Sequence, residues 1–236
     1  MVSIIVRKTM RKGSIPFILL NLCFCPVIVF VFNKMSSKYE HICFFDTEAA
    51  TNTSPHTCYS VSFDLDGKML SFFGPHCVIR FLERMPDNCL CIAHNLSYDF
   101  SFIINYLTII YSNPIIKNGR VLQITGAYKV IVYKDYKAQE QLNRITFKDS
   151  YAIITKPLKL FPEMFQLDSG RKEVMPYGFY NTNTLGIIDG KITKTTYYGN
   201  INEALEFIPI NDQQQFLTNL EELDCIKDDN QFNMRT

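Results

Sequence analysis

From residue 36 onward, short apolar runs alternate with polar positions, predicting short strands interleaved with amphipathic helices. His41 to Asp46 (HICFFD) is an apolar run and Thr57 to Phe63 alternates, so both read as strands. Asp66-Gly67 is a turn pair, and Met69 to Phe73 completes a hairpin after it. Pro75 to Met85 places Val78, Ile79, Phe81 and Leu82 at helical spacing, with proline in the first turn. Cys89 to Ala93 reads as a strand. Tyr98 to Tyr111 reads as a helix carrying Phe102, Ile103, Tyr106, Leu107 and Ile110, ended by Asn113-Pro114. Val121 to Thr125, Ala127 to Tyr133 and Arg144 to Phe147 are further strands. Asp149 to Phe165 predicts a loop leading into a short helix, Gly170 to Lys194 a loop, and Asp212 to Ile226 an amphipathic helix. This succession, without internal repeats, predicts an α/β domain with a mixed sheet flanked by helices.

Composition narrows the picture. The chain of 236 residues suffices for one large domain or two small ones, and 47% hydrophobic against 20% charged residues excludes a disordered chain. Lys+Arg is 24 and Asp+Glu is 23, so any nucleic-acid binding must come from a local site and not from a basic surface. The 8 cysteines form no Cys-x-x-Cys pair and lie in apolar runs, which implies free thiols in a reducing compartment, cytosolic or nuclear. Residues 1–35 stand apart as a hydrophobic leader. Ile15 to Phe32 carries no charge and follows Arg7, Lys8, Arg11 and Lys12, the outline of a signal anchor. It falls short of the ~20 residues a span needs, and Pro16, Asn21 and Pro26 interrupt it. A buried strand over Val27 to Phe32, or a start codon placed too far upstream, accounts for it as well. The membrane is therefore not the expected partner.

The chemistry concentrates in two segments. In a strand, Asp46 and Glu48 share one face while Phe45 points to the other. Two adjacent carboxylates are costly to keep ionised, and a hard divalent cation, Mg²⁺ or Mn²⁺, relieves the cost. The plain alternative is a solvated strand end. The second segment, Ala93 to Asp99 (AHNLSYD), follows a strand and opens a helix, bringing an amide, a ring and a carboxylate to one junction. Here the plain alternative is Asn95 or Ser97 as a helix cap, Tyr98 in the core and Asp99 at the helix dipole. The histidines have no metal-ligand spacing, and His41 and His94 read as sheet-end residues.

Together, Asp46-x-Glu48 and Asn95-x-x-Tyr98-Asp99 resemble the first two exonuclease motifs of family B DNA polymerases. Asp149-Ser150, the stretch Lys156 to Pro162 (KPLKLFP) and Lys172 to Tyr177 (KEVMPY) resemble the protein-primed branch of that family, over about Tyr39 to the C-terminus. The resemblance implies a ribonuclease-H-like domain that removes nucleotides from a DNA 3′ end with two metal ions. It implies Asp46, Glu48 and Asp99 as metal ligands, and Thr47 or Ala49 near the terminal nucleotide. It further implies Asn95, Tyr98 and Ser150 on the single strand, and Lys172 assisting catalysis and 3′-end binding. A terminal protein primer is the implied partner of the parent polymerase. Two departures stand out. The family's third exonuclease motif, Tyr-x-x-x-Asp, is absent, as are polymerase motifs of the type Ser-Leu-Tyr-Pro or Tyr-x-Asp-Thr-Asp. The expectation is an amino-terminal polymerase fragment, truncated before the third motif and poor at hydrolysis. Its competitors are a non-catalytic single-strand-binding remnant, or a membrane-anchored protein with an incidental resemblance.

Overall fold

A computed structural model describes residues 38–111, 114–134, 136–157, 160–165, 174–195 and 197–234. The leader 1–35 and Lys172 lie outside the described residues. The chain opens as a meander. β1 (His41–Ala50) pairs antiparallel with β2 (Thr57–Leu65), and β2 pairs antiparallel with β3 (Lys68–Phe73). The β2–β3 turn is the expected Asp66-Gly67 pair, both with positive φ (51° and 81°), and Asp64 Oδ1 accepts the Gly67 N–H at 2.8 Å. Helix α1 (Cys77–Arg84) crosses over to β4 (Cys89–Ala93), which lies parallel to β1. Helix α2 (Leu96–Ile103) follows, then the short strands β5 (Ile109–Ile110) and β6 (Ile115–Lys117). A long hairpin of β7 (Arg120–Lys134) and β8 (Lys137–Asp149) closes the sheet, with β8 parallel to β4.

The sheet has eight strands in the order β3-β2-β1-β4-β8-β7-β5, with β6 also paired to β7. Its first five strands, with β2 antiparallel to its neighbours and β1, β4 and β8 mutually parallel, form the ribonuclease-H-like arrangement. The expected α/β architecture of a mixed sheet flanked by helices is present. Three local expectations are corrected. The helix predicted to Tyr111 ends at Ile103, runs on as a 3-10 turn over Ile104–Tyr106, and gives way to β5. Tyr106, Leu107 and Ile110 suit helical spacing, but the β-branched run Thr108 to Ile110 favours the strand that pairs with Gly126 and Ala127. The separate strands predicted on either side of Gly126 are one strand, β7. The loop predicted over Gly170 to Lys194 contains helix α4 (Thr182–Leu185) and the hairpin of β9 (Ile187–Ile188) and β10 (Lys191–Ile192). The Asp189-Gly190 pair that turns this hairpin was a readable signal.

Two apolar clusters hold the molecule. The first fills the space between the sheet and helices α1 and α2, with Phe45, Phe63, Phe81, Leu82, Leu96, Phe100 and Phe147 at its centre. The second is built by the C-terminal part. After α3 (Phe161–Phe165) and the α4 region come β11 (Tyr198–Asn200), α5 (Ile201–Leu205), α6 (Ile210–Glu222), β12 (Ile226–Asp228) and β13 (Gln231–Asn233). The last three strands form a small sheet in the order β11-β13-β12. This cluster meets the main sheet through Ala50, Tyr59 and Phe73. The Tyr59 ring stacks on Tyr180 at 5.0 Å and Phe73 meets Tyr197 edge-on at 4.9 Å. Among the described residues, no helix is long and apolar enough to cross a membrane.

Candidate functional site

The site forms where β1, β4 and β8 end on the same side of the sheet. Parallel pairing of β1 to β4 and of β4 to β8 brings Asp46, Thr47 and Glu48, the AHNLSYD segment and Asp149 to one edge. Phe45 drops into the first cluster and packs on Phe81 at 5.1 Å, which fixes the rotation of β1. Strand alternation then leaves Asp46 and Glu48 half-buried on the other face, with Thr47 buried between them.

Asp99 is the centre. Its carboxyl is 4% exposed, and Oδ1 accepts two bonds from Thr47, from the backbone N–H at 3.0 Å and the hydroxyl at 2.7 Å. Burial, then the charge of Asp46, push the Asp99 carboxyl up to about 7, while the Thr47 bonds oppose the rise. Asp46 and Asp99 therefore sit close enough to penalise each other. That penalty is what a hard cation between them relieves, so the oxygen donors fit Mg²⁺ or Mn²⁺. Burial, and after it the charge of Glu48, raises the Tyr59 hydroxyl above its ordinary range. Among the described residues, no group of three or more His, Cys, Asp or Glu side chains converges to hold an ion.

The nucleic-acid side of the expected site is also brought together. Asn95 stands at the N-cap position of α2 in the left-handed conformation (φ 67°), and its exposed side chain makes no capping bond. Its backbone N–H is held by Asp149 Oδ1 at 2.9 Å, and the same oxygen accepts the Tyr151 N–H at 2.9 Å. Tyr98 is 39% exposed, so it is not the core residue of the plain alternative. Its ring meets Phe102 edge-on at 5.2 Å, and its hydroxyl shares a 3.1 Å hydrogen bond with His56 Nδ1. Burial, then Cys58, Asp99 and Glu48, raise the Tyr98 hydroxyl above its ordinary range. Ser97 accepts the Val121 N–H at 2.8 Å and ties β7 to α2.

Ser150 is placed differently from the exposed pair. It is buried, its hydroxyl donates to Ala93 O at 3.2 Å, and it shares a bond with His94 Nδ1 at 3.0 Å. His94 sits at the end of β4, edge-on to Tyr151 and Phe161, and burial lowers its basicity. Asp149 entered the sequence reading only as part of the Asp149-Ser150 motif, with no role of its own, and His56 did not enter it at all. An acid that ends an apolar strand was a usable signal for Asp149; nothing in the one-dimensional pattern pointed to His56.

Residues 81–234, well over half of the chain, match the family model described as DNA polymerase type B, organellar and viral. The chain belongs to that family. Polymerases of this family use divalent metal ions, and the matched stretch contains Asn95, Tyr98, Asp99 and Ser150 but begins after Asp46 and Glu48. The two Thr47–Asp99 bonds join β1, which lies outside that stretch, to Asp99 within it. Among solved structures, the family member is similar to Phi29 DNA polymerase complexed with single-stranded DNA, at 16% identity and a TM-score of 0.46. The match covers 79% of this chain and 32% of that one. The primer-template complex gives the same figures, and the ternary complex with incoming nucleotides gives 16% identity and 0.43 over 77% and 31%. The chain thus spans about a third of the length of those polymerases. No curated protein matches it.

Proposed function

We propose that the chain is the amino-terminal part of a protein-primed family B DNA polymerase and carries its 3′-5′ exonuclease site, where the 3′ end of single-stranded DNA binds. The observation that supports this reading is the Asp99 carboxyl, buried, raised by burial and by the charge of Asp46, and bonded twice to Thr47, beside the exposed Asn95 and Tyr98. Asp46 and Asp99 would hold a divalent cation, with Glu48 beside them. When bound, that cation supplies Lewis-acid polarisation of the scissile phosphate. The chain's own residues bind and orient. The Thr47 bonds fix the Asp99 carboxyl, and Asp149 fixes the Asn95 backbone so that its side-chain amide faces outward. The exposed Tyr98 ring offers a face on which an unpaired base stacks, worth ~1–3 kcal/mol per base and tolerant of sequence. Lys172 belongs to the same proposal by resemblance alone. Priming by a terminal protein belongs to it as a property of the whole polymerase.

The test is a 3′-labelled single strand incubated with the chain and Mn²⁺. The reading expects binding that weakens as salt rises and shortening from the 3′ end that Asp46→Ala and Asp99→Ala abolish. Binding lost in Tyr98→Ala, without any shortening in the parent chain, is the result that favours the single-strand-binding remnant. Parent and Tyr98→Ala chains that bind the strand equally refute the site.

A further inference from the structure

His56 lies outside every motif of the resemblance, on the loop 51–56 between β1 and β2. That loop is pinned rather than loose. Asn52 donates to the Thr182 hydroxyl at 3.1 Å, and the Thr53 hydroxyl donates to Ala50 O at 3.1 Å. Thr53 and Thr57 share a 3.3 Å hydroxyl contact across it. The pinned loop delivers His56 Nδ1 to 3.1 Å from the Tyr98 hydroxyl, with the two rings edge-to-face at 6.0 Å. Phe102 meets the Tyr98 ring from α2 at 5.2 Å, again edge-to-face.

The consequence is mechanical. A partly exposed tyrosine turns freely about χ1 and χ2, and ordering it on a ligand costs about 0.5–1.5 kcal/mol of rotamer freedom. With its edge against Phe102 and its hydroxyl held from the opposite loop, Tyr98 has lost that freedom before any ligand arrives. The Tyr98 hydroxyl donates to Nδ1 when the imidazole carries its proton on Nε2.

We infer that His56 is a positioning residue that presets the Tyr98 ring as the stacking platform for the unpaired 3′-terminal base of a single DNA strand. The inference rests on the exonuclease-site reading and adds to it a residue supplied by the β1–β2 loop.

The test is a double-mutant cycle on the 236-residue chain, read with a 5′-fluorescein oligothymidylate in EDTA at low salt. His56→Phe keeps a ring and removes the bond; Tyr98→Phe removes the same bond from the other side. Each is expected to weaken binding about three- to tenfold, the size of one neutral hydrogen bond. The double variant is expected to bind no worse than either single one. His56→Asn, whose amide falls near the Nδ1 position, is expected to restore binding, a rescue that a merely structural loop residue would not show. Losses that add, or an Asn variant as weak as the Phe variant, overturn the inference. Thermal unfolding of the DNA-free variants provides the second cycle, and additivity there overturns it too. If Tyr98→Ala binds as the parent does, the site reading fails and the inference with it. If Tyr98→Ala loses binding while His56→Phe keeps it, only the role of His56 fails.

Discussion

At the scale of single residues, Asp99 governs how the site responds to protons and metal. Its carboxyl is raised from an ordinary value of 3.8 to about 7 by burial and by Asp46. A raised carboxyl means that the folded state binds the proton more tightly than the unfolded chain. The stability it contributes is complete below about pH 4 and is lost as pH rises through about 7. In EDTA, the parent should therefore lose stability between those limits, by a few kcal/mol at most at ~1.4 kcal/mol per unit. Asp99→Asn, which keeps an acceptor for Thr47, should flatten that part of the profile. Equal slopes for the two proteins in chemical unfolding would show that Asp99 is not the titrating group. A divalent cation acts in the opposite sense, because it binds the ionised pair. Mn²⁺ at a hundred times its dissociation constant should add ~2.7 kcal/mol to the parent at pH 8, and nothing to Asp46→Ala/Asp99→Ala. A parent melting temperature unmoved by Mn²⁺, or moved equally in the double variant, would exclude a metal site. The pair Asp46-x-Glu48 was legible as a one-face pattern, and Asn95, Tyr98 and Asp99 as a strand-to-helix junction. The partners that fix them were not, because Thr47–Asp99 and Asn95–Asp149 join positions 52 and 54 residues apart.

At the scale of elements, local signals were readable wherever one physical preference acted alone. β4 lies at its predicted residues because a fully buried central strand is a continuous apolar run bounded by polar positions. The Asp-Gly pair at 66–67 marked its hairpin for the same reason. Gly126 misled because a glycine inside an apolar run reads as a break. A Cβ there would stand 2.8 Å from Leu107 Cδ1 and 3.0 Å from Ile109 O, so the glycine admits β5 against an unbroken β7. The small C-terminal sheet was unreadable since its strands are three residues each, too short to show a period. Its packing depends on another close approach. A Cβ on Gly199 of β11 would lie 2.6 Å from Phe232 and 2.8 Å from Phe179, both buried rings of the second cluster. Gly199→Ala should therefore destabilise the protein by about 1–3 kcal/mol through overpacking. The check is equilibrium urea unfolding; a variant as stable as the parent would mean that the rings can part without cost.

At the scale of the whole molecule, the family was legible because its motifs keep their order along the chain, although each is loose by itself. What order could not show is how far the C-terminal part belongs to the same body. The structure answers through aromatic contacts: Tyr59 of β2 and Phe73 of β3 reach out of the main sheet to Tyr180 and Tyr197. Pinning the β1–β2 loop to Thr182 adds a polar tie between the same parts. Since these ties join the two clusters, we expect that deleting residues 1–35 leaves a soluble domain that unfolds in one transition, with circular dichroism and tyrosine fluorescence changing together. Two separated transitions would show that the clusters are independent. A deletion that melts without cooperativity would assign the leader to the core, as the strand reading over Val27 to Phe32 would have it. The anchor reading makes a different demand, since a full-length fusion would then stay in the membrane fraction after a carbonate wash. We expect it instead in the wash, because Pro16, Asn21 and Pro26 interrupt an apolar stretch already shorter than the ~20 residues that cross a bilayer.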